Sequence, residues 1–194
     1  MQILFMPLPV SRDRKRTDPT YVWEGKIMHQ RIEILTELIP GIVDDYKTHF
    51  EPKLERIPDG SGRAREAGLE AGWISGLSMF RPTVHDLPYT FTAALATLLR
   101  EVGTPTIKQL MVNAVAPGKA LNIHVDGPPY YNRWHLPIIT HPEVKVWTME
   151  HGTEHFELGH WAGPLNYRLR HGIEVPPEIP EARVHFIADL GGEV

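Results

Sequence analysis

From about Lys108 onward, short runs of β-branched and aromatic residues alternate with polar ones and are separated by Gly and Pro. This texture constrains the fold more than any other feature, because period-two alternation belongs to half-buried strands. The candidate strands are Gln109–Val115, Leu121–Val125, Asn132–Thr140, Val144–His151, Glu154–Leu158, Tyr167–His171 and Arg183–Asp189. Seven short strands at this spacing predict an antiparallel sandwich or jelly roll.

The first half of the chain reads differently. Between Gly25 and Phe50, residues Ile27, Ile32, Leu35, Leu38, Ile39, Ile42, Val43 and Tyr46 recur at helical spacing, predicting one or two amphipathic helices broken near Pro40-Gly41. Residues 51–72 lack periodicity and read as a surface connection. Leu87 to Val102 predicts a further helix, with Pro88 in its first turn and Gly103 just past its end. These helices are expected to cover one sheet. The reading is therefore one mainly β, α+β domain over residues 1–194: a helical and connecting part (1–107) and a jelly-roll core (108–194). A length of 194 residues suits one domain of ordinary size.

With no cysteine, disulfides, thiolate metal sites and thiol catalysis are excluded. The net charge of -4 argues against a nucleic-acid partner, and the basic run Arg12 to Arg16 reads as a solvated loop. The apolar opening Met1 to Pro9 carries prolines inside it and its positive charge after it, the reverse of a secretory signal. No segment has the length of a membrane span. A soluble, cytoplasmic protein is the expectation.

Eight of the eleven histidines lie between His124 and His185, inside the β region, so a metal site is sought there. His124-Val-Asp126 stands out because residues i and i+2 of a strand share a face and can reach one ion. A His and an Asp are two of the three ligands in the facial triad of non-haem Fe(II) oxygenases. His171, at the end of a candidate strand 47 residues downstream of His124, is a candidate third ligand. Arg183 follows by 12 residues and opens the run Arg183-Val-His-Phe-Ile-Ala-Asp189. On that run Arg183, His185 and Ile187 share one face and Val184, Phe186 and Ala188 the other. An inward arginine needs an anionic partner, since a buried unpaired guanidinium is very costly, and a dicarboxylate ligand would satisfy it.

Asn132-Arg133-Trp-His135 repeats the arrangement, putting Arg133 and His135 on one face at the same barrel mouth, with an ion pair from Arg133 to an acidic residue as the equal alternative. A rival metal set, His151, His155, Glu157 and His160, lies in a segment that Gly152 and Gly159 mark as a surface hairpin. Trp147, Trp161, Tyr130 and Tyr131 read as core or rim aromatics.

Taken together, His124-x-Asp126, Arg133-x-His135-Leu-Pro, Gly159-x-Trp161, His171-Gly-Ile-Glu and Arg183-x-His-x-Ile-x-Asp189 resemble the aspartyl/asparaginyl β-hydroxylase-like branch of the Fe(II)/2-oxoglutarate dioxygenases, which have the cupin or double-stranded β-helix fold. The resemblance spans roughly residues 108 to 190. It implies that His124, Asp126 and His171 bind Fe(II), that Arg183 pairs with the distal carboxylate of 2-oxoglutarate, and that Arg133 and His135 flank this cosubstrate. It further implies O2 as second cosubstrate and hydroxylation coupled to decarboxylation of 2-oxoglutarate to succinate and CO2. Some relatives lack the acidic ligand, whereas Asp126 is present here. Many also carry Asn four residues after the distal His, where this chain has Val175 followed by Pro176-Pro177.

By the same resemblance, the substrate is an Asp- or Asn-type residue of a protein, a free amino acid or a related small molecule. A cupin isomerase or hydrolase working without 2-oxoglutarate is the competing enzyme class, although it has no need of both Arg183 and Arg133. A non-catalytic jelly-roll binding module is the other, and the loss of a ligand residue would favour it. None of the three is missing.

Overall fold

The computed structural model describes residues 30–57, 76–103, 105–125, 132–149, 151–166 and 169–191. Its strands are β1 (Gln30–Glu33), β2 (Glu55–Arg56), β3 (Leu77–Phe80), β4 (Ile107–Val115), β5 (Lys119–His124), β6 (Asn132–Ile139), β7 (Lys145–Thr148), β8 (Gly152–Glu154), β9 (His160–Leu165), β10 (His171–Val175) and β11 (Arg183–Leu190). They form two antiparallel sheets. The larger has the order β1-β9-β6-β11-β4-β3-β2 and the smaller β5-β10-β7-β8. From β4 onward successive strands alternate between the two sheets, apart from the β7-β8 hairpin, which is the jelly-roll arrangement expected from the sequence.

Two helices cover the outer face of the larger sheet. Helix α1 (Leu38–Asp45) continues into a wider π-type turn over Tyr46–Phe50. Pro40 does not break a helix, contrary to expectation. It sits in the first turn of α1, where its missing N–H has no intrahelical acceptor to lose. Helix α2 (Tyr89–Glu101) starts one residue after Pro88, and Gly103 beyond its end takes φ +80°. Its buried residues Phe91, Ala94, Leu95 and Leu98 form one stripe.

That stripe meets alternate residues of three strands: Leu110, Val112 and Ala114 on β4, Trp134, Leu136 and Ile138 on β6, and Val184, Phe186, Ala188 and Leu190 on β11. Phe91 packs edge-on against Phe186 with centroids 5.1 Å apart, and the Trp161 indole N–H donates to the Ala94 carbonyl at 2.9 Å. Truncating a fully buried ring such as Phe186 to Ala would cost about 3–5 kcal/mol.

The intervening residues of the same strands face the smaller sheet. Apolar clusters close this inner space, one of Leu77, Val115, Val144, Val175 and Ile179, another of Val146, Phe156, Ala162 and Leu165. Between them lie the polar inner residues Asn113, His135, Arg183, His185 and Asp189, all buried. The alternation read on Arg183–Asp189 is thus realised.

Several strand assignments shift. Residues 1–107 contribute β1, β2 and β3 to the larger sheet, although helices and connections without strands are expected there from the sequence. Strand β9 has no counterpart among the candidate strands, and β8 (Gly152–Glu154) shares only Glu154 with the expected strand Glu154–Leu158. His171 opens its strand rather than closing it, since β10 runs on through Ile173 and Val175, which pack inward. No helix among the described residues is long and apolar enough to cross a membrane.

Candidate metal and cosubstrate site

Strands β5 and β10 bring two of the expected ligands together. His171 is the register partner of His124, and their rings lie 4.3 Å apart, centroid to centroid. Local backbone irregularity makes this possible. Between the pairs His171↔His124 and Ile173↔Leu121, β10 advances two residues and β5 three, so β5 carries a bulge. In a regular strand Leu121 and His124 would face opposite sides. With the extra residue, Leu121 packs against the inner apolar cluster while His124 is also buried, and the neighbouring Ile123 is left exposed.

The His171 ring is oriented by its backbone. Its Nδ1 lies 3.1 Å from the Leu169 carbonyl oxygen, which can only accept, so Nδ1 carries the proton and Nε2 presents a lone pair. A carbonyl fixing one ring nitrogen so that the other can ligate is the usual support of a metal-binding histidine. On its other side His171 is in register with Thr148 of β7, whose hydroxyl accepts from the His151 backbone N–H at 3.0 Å. Asp126 lies outside the described residues, as do Tyr130 and Tyr131. Among the described residues no group of three histidines or carboxylates forms a metal cluster. The donors that are described, two imidazoles side by side, suit a divalent first-row ion such as Fe(II).

Across from this pair, the larger sheet supplies the cationic residues. Arg183 is 1% exposed. Its Nη1 donates to Asn113 Oδ1 at 2.8 Å, and its Nη2 lies 2.5 Å from His185 Nδ1. His185 Nδ1 in turn lies 3.1 Å from His135 Nδ1. Phe156 stacks on the His185 ring at 6.0 Å and meets the His135 ring at 5.8 Å. Both histidines titrate well below the ordinary range. For His135 the causes are burial first, then the charges of Arg183, Arg133 and His171; for His185 they are burial, then Arg183, His135 and His155. His135 therefore stands among the groups of both sheets.

Arg133 is placed differently from Arg183. Its Nε and Nη2 donate to Asp189 Oδ1 and Oδ2 at 2.6 and 2.8 Å, a bidentate pair made across the β6–β11 register. Asp189 lies six positions along β11 from Arg183, roughly 20 Å along the strand. The two arginines thus occupy opposite ends of the inner face, not one mouth. The ends of β5 and β10 that bear His124 and His171 lie on the side of Arg133, because β6 follows β5 in the chain and starts there.

The rival histidine set does not converge. His155 Nδ1 contacts the Val144 carbonyl at 3.3 Å, half-buried His160 contacts the Leu158 carbonyl at 3.2 Å, and Glu157 pairs with Arg31 at 3.1 Å. Trp161 is a core residue. Asn113 is not singled out by the sequence reading. The available signal is a polar residue at an inner position of the otherwise apolar run Leu110 to Val115.

The arrangement of strands has a counterpart among solved structures. A crystal structure of a prolyl-4-hydroxylase from Pseudomonas putida matches with a TM-score of 0.59, covering 86% of this chain and 93% of that one at 10% sequence identity. The fold is the double-stranded β-helix. A 2OG-Fe(II) oxygenase-family oxidoreductase from Burkholderia pseudomallei also matches, with a TM-score of 0.43, 14% identity and coverage of 78% and 88%. No family model and no curated protein matches the sequence. In this double-stranded β-helix the paired histidines sit on the smaller sheet and Arg183 at the start of the last strand of the larger one.

Proposed function

We propose that the protein is an Fe(II)- and 2-oxoglutarate-dependent oxygenase that hydroxylates an amino-acid-type substrate, either an Asp- or Asn-type side chain in a protein or a free amino acid or related small molecule. The observation that carries this reading is the pairing of His124 with His171 on the smaller sheet, opposite an inner face of the larger sheet that buries Arg183 at its other end. In this reading His124, His171 and Asp126 hold the metal, and Arg183 takes the distal carboxylate of the cosubstrate through its fork of donors. Arg133, aimed by Asp189, and His135 flank the cosubstrate nearer the metal. Iron and 2-oxoglutarate, when bound, supply O2 activation, with succinate and CO2 as co-products. The chain's own contribution is orientation in a closed, water-poor interior, where charge contacts gain strength.

The test is succinate formation from 2-oxoglutarate under Fe(II) and air, screened with amino acids and peptides. His171→Ala should abolish turnover and weaken binding of Mn(II), an air-stable stand-in, by more than about tenfold, because a ligand is lost whose supporting contacts alone carry that much. Turnover unchanged by His171→Ala would reject the site. Turnover of a substrate without any consumption of 2-oxoglutarate would favour a metal-dependent cupin isomerase or hydrolase.

A further inference from the structure

The contacts around Arg183 specify more than a buried cation. Arginine donates and never accepts. His185 Nδ1, 2.5 Å from Arg183 Nη2, must therefore be the unprotonated ring nitrogen, and His185 carries its proton on Nε2. The same Nδ1 faces His135 Nδ1 at 3.1 Å, so the proton in that contact belongs to His135. An imidazole nitrogen has one in-plane lone pair, so the shorter contact with Arg183 is the stronger one. The order of donation is fixed nonetheless: Arg183 and His135 both give, and His185 receives. Asn113 Oδ1 receives from the other arm of the guanidinium. Both groups that hold Arg183 in this way are uncharged, and burial beside that same cation keeps His185 neutral.

We propose that His185 is a positioning residue, which with Asn113 aims the Arg183 guanidinium and fixes His135 as its Nδ1–H tautomer without adding a counter-charge of its own. The proposal deepens the reading above and rests on Arg183 being the carboxylate anchor. Chemically, the point is the choice of holder. A carboxylate at position 185 would orient Arg183 equally well, as Asp189 orients Arg133. It would also occupy the charge that an incoming carboxylate must find.

The experiment uses the full chain labelled with 15N-histidine. In the metal-free protein near neutral pH, nitrogen shifts should show His185 with Nδ1 unprotonated and His135 with Nδ1 protonated. The reverse pattern would overturn the proposal without any variant or ligand. Binding of 2-oxoglutarate to the Mn(II)-loaded protein is then measured by calorimetry for His185→Asn and His185→Asp, two near-isosteres whose δ oxygen stands where Nδ1 was. The Asn variant keeps a neutral acceptor and should weaken 2-oxoglutarate binding by no more than about threefold, whereas the Asp variant should weaken it by about tenfold or more, with Mn(II) affinity equal in both. Equal 2-oxoglutarate affinity in the two variants would refute the role given to His185, since a merely structural position would not register the charge. Absence of 2-oxoglutarate binding by the parent would instead sink the cosubstrate reading, and the tautomer pattern, which needs no ligand, then decides the clamp alone.

Discussion

Arg133 and Arg183 are the same residue type on the same inner face, and the structure treats them in opposite ways. Arg133 meets a carboxylate through two short hydrogen bonds and stays 20% exposed at its side chain. Arg183 is more deeply buried and is held by an amide oxygen and a neutral ring. Burial alone therefore does not separate the two arginines. The charge of their described acceptors does, because an ion pair spends the field that a second anion would feel, while a neutral acceptor fixes direction and adds no counter-charge of its own.

The sharpest way to break the comparison is at Asp189. Asp189→Asn leaves the Arg133 guanidinium without its counter-charge, and removing one partner of a buried pair costs about 3–5 kcal/mol, reduced here to about 2–4 because Arg133 reaches solvent. Denaturant unfolding should show that loss. A stability within about 0.5 kcal/mol of the parent would mean that the pair is as weak as an exposed one. At the other end the effect should appear in affinity rather than stability. Arg183→Met keeps the apolar stem and should raise the 2-oxoglutarate dissociation constant by roughly a hundredfold, the equivalent of one or two charge-assisted hydrogen bonds. Arg183→Lys should recover only part of this, since a point charge does not reproduce the fork. If Arg133→Met impaired 2-oxoglutarate binding more than Arg183→Met, the roles assigned to the two ends would have to be exchanged.

How much of this is legible in the sequence depends on how local each signal is. The inner and outer faces of β11 follow from simple alternation, and the seven-strand texture leads to an antiparallel sandwich or jelly roll, which the family resemblance narrows to the double-stranded β-helix. Strand β1 is hidden because Ile32 also fits the helical spacing of Leu35, Leu38 and Ile39, and only pairing with β9 makes it a strand. β9 itself contains Gly163 and Pro164, which read as punctuation. Gly163 is in fact required by close approach, since a Cβ there would stand 2.8 Å from the Arg133 carbonyl and the Trp134 ring. His124 is suggested by its i, i+2 spacing to Asp126, and His171 by its place before Arg183 and by the family resemblance, but the β5 bulge that turns His124 inward has no sequence signature. The partner of Arg133 is equally out of reach, because Asp189 lies 56 residues away and only register joins them.

The smallest effect, and the one that isolates the Arg183 end, is a pH dependence. His135 and His185 both have folded pKa values held well below the ordinary histidine value by burial and by the Arg183 charge. In the unfolded chain each titrates near 6.5. Below that value the unfolded state binds protons that the folded state refuses, so stability is full above about pH 6.5 and falls as the pH drops towards the folded values. The slope is at most about 1.4 kcal/mol per pH unit for each histidine. The ion pair of Arg133 with Asp189 adds no histidine to this window. Substituting His185 with Asn removes one of the two refusing groups, so the decline measured by denaturant unfolding between pH 6.5 and 5.5 should become shallower by up to that amount. An unchanged slope would show that His185 accepts a proton in the folded protein, which its short contact with the Arg183 guanidinium does not allow, and the neutral holder at that end of β11 would have to be given up.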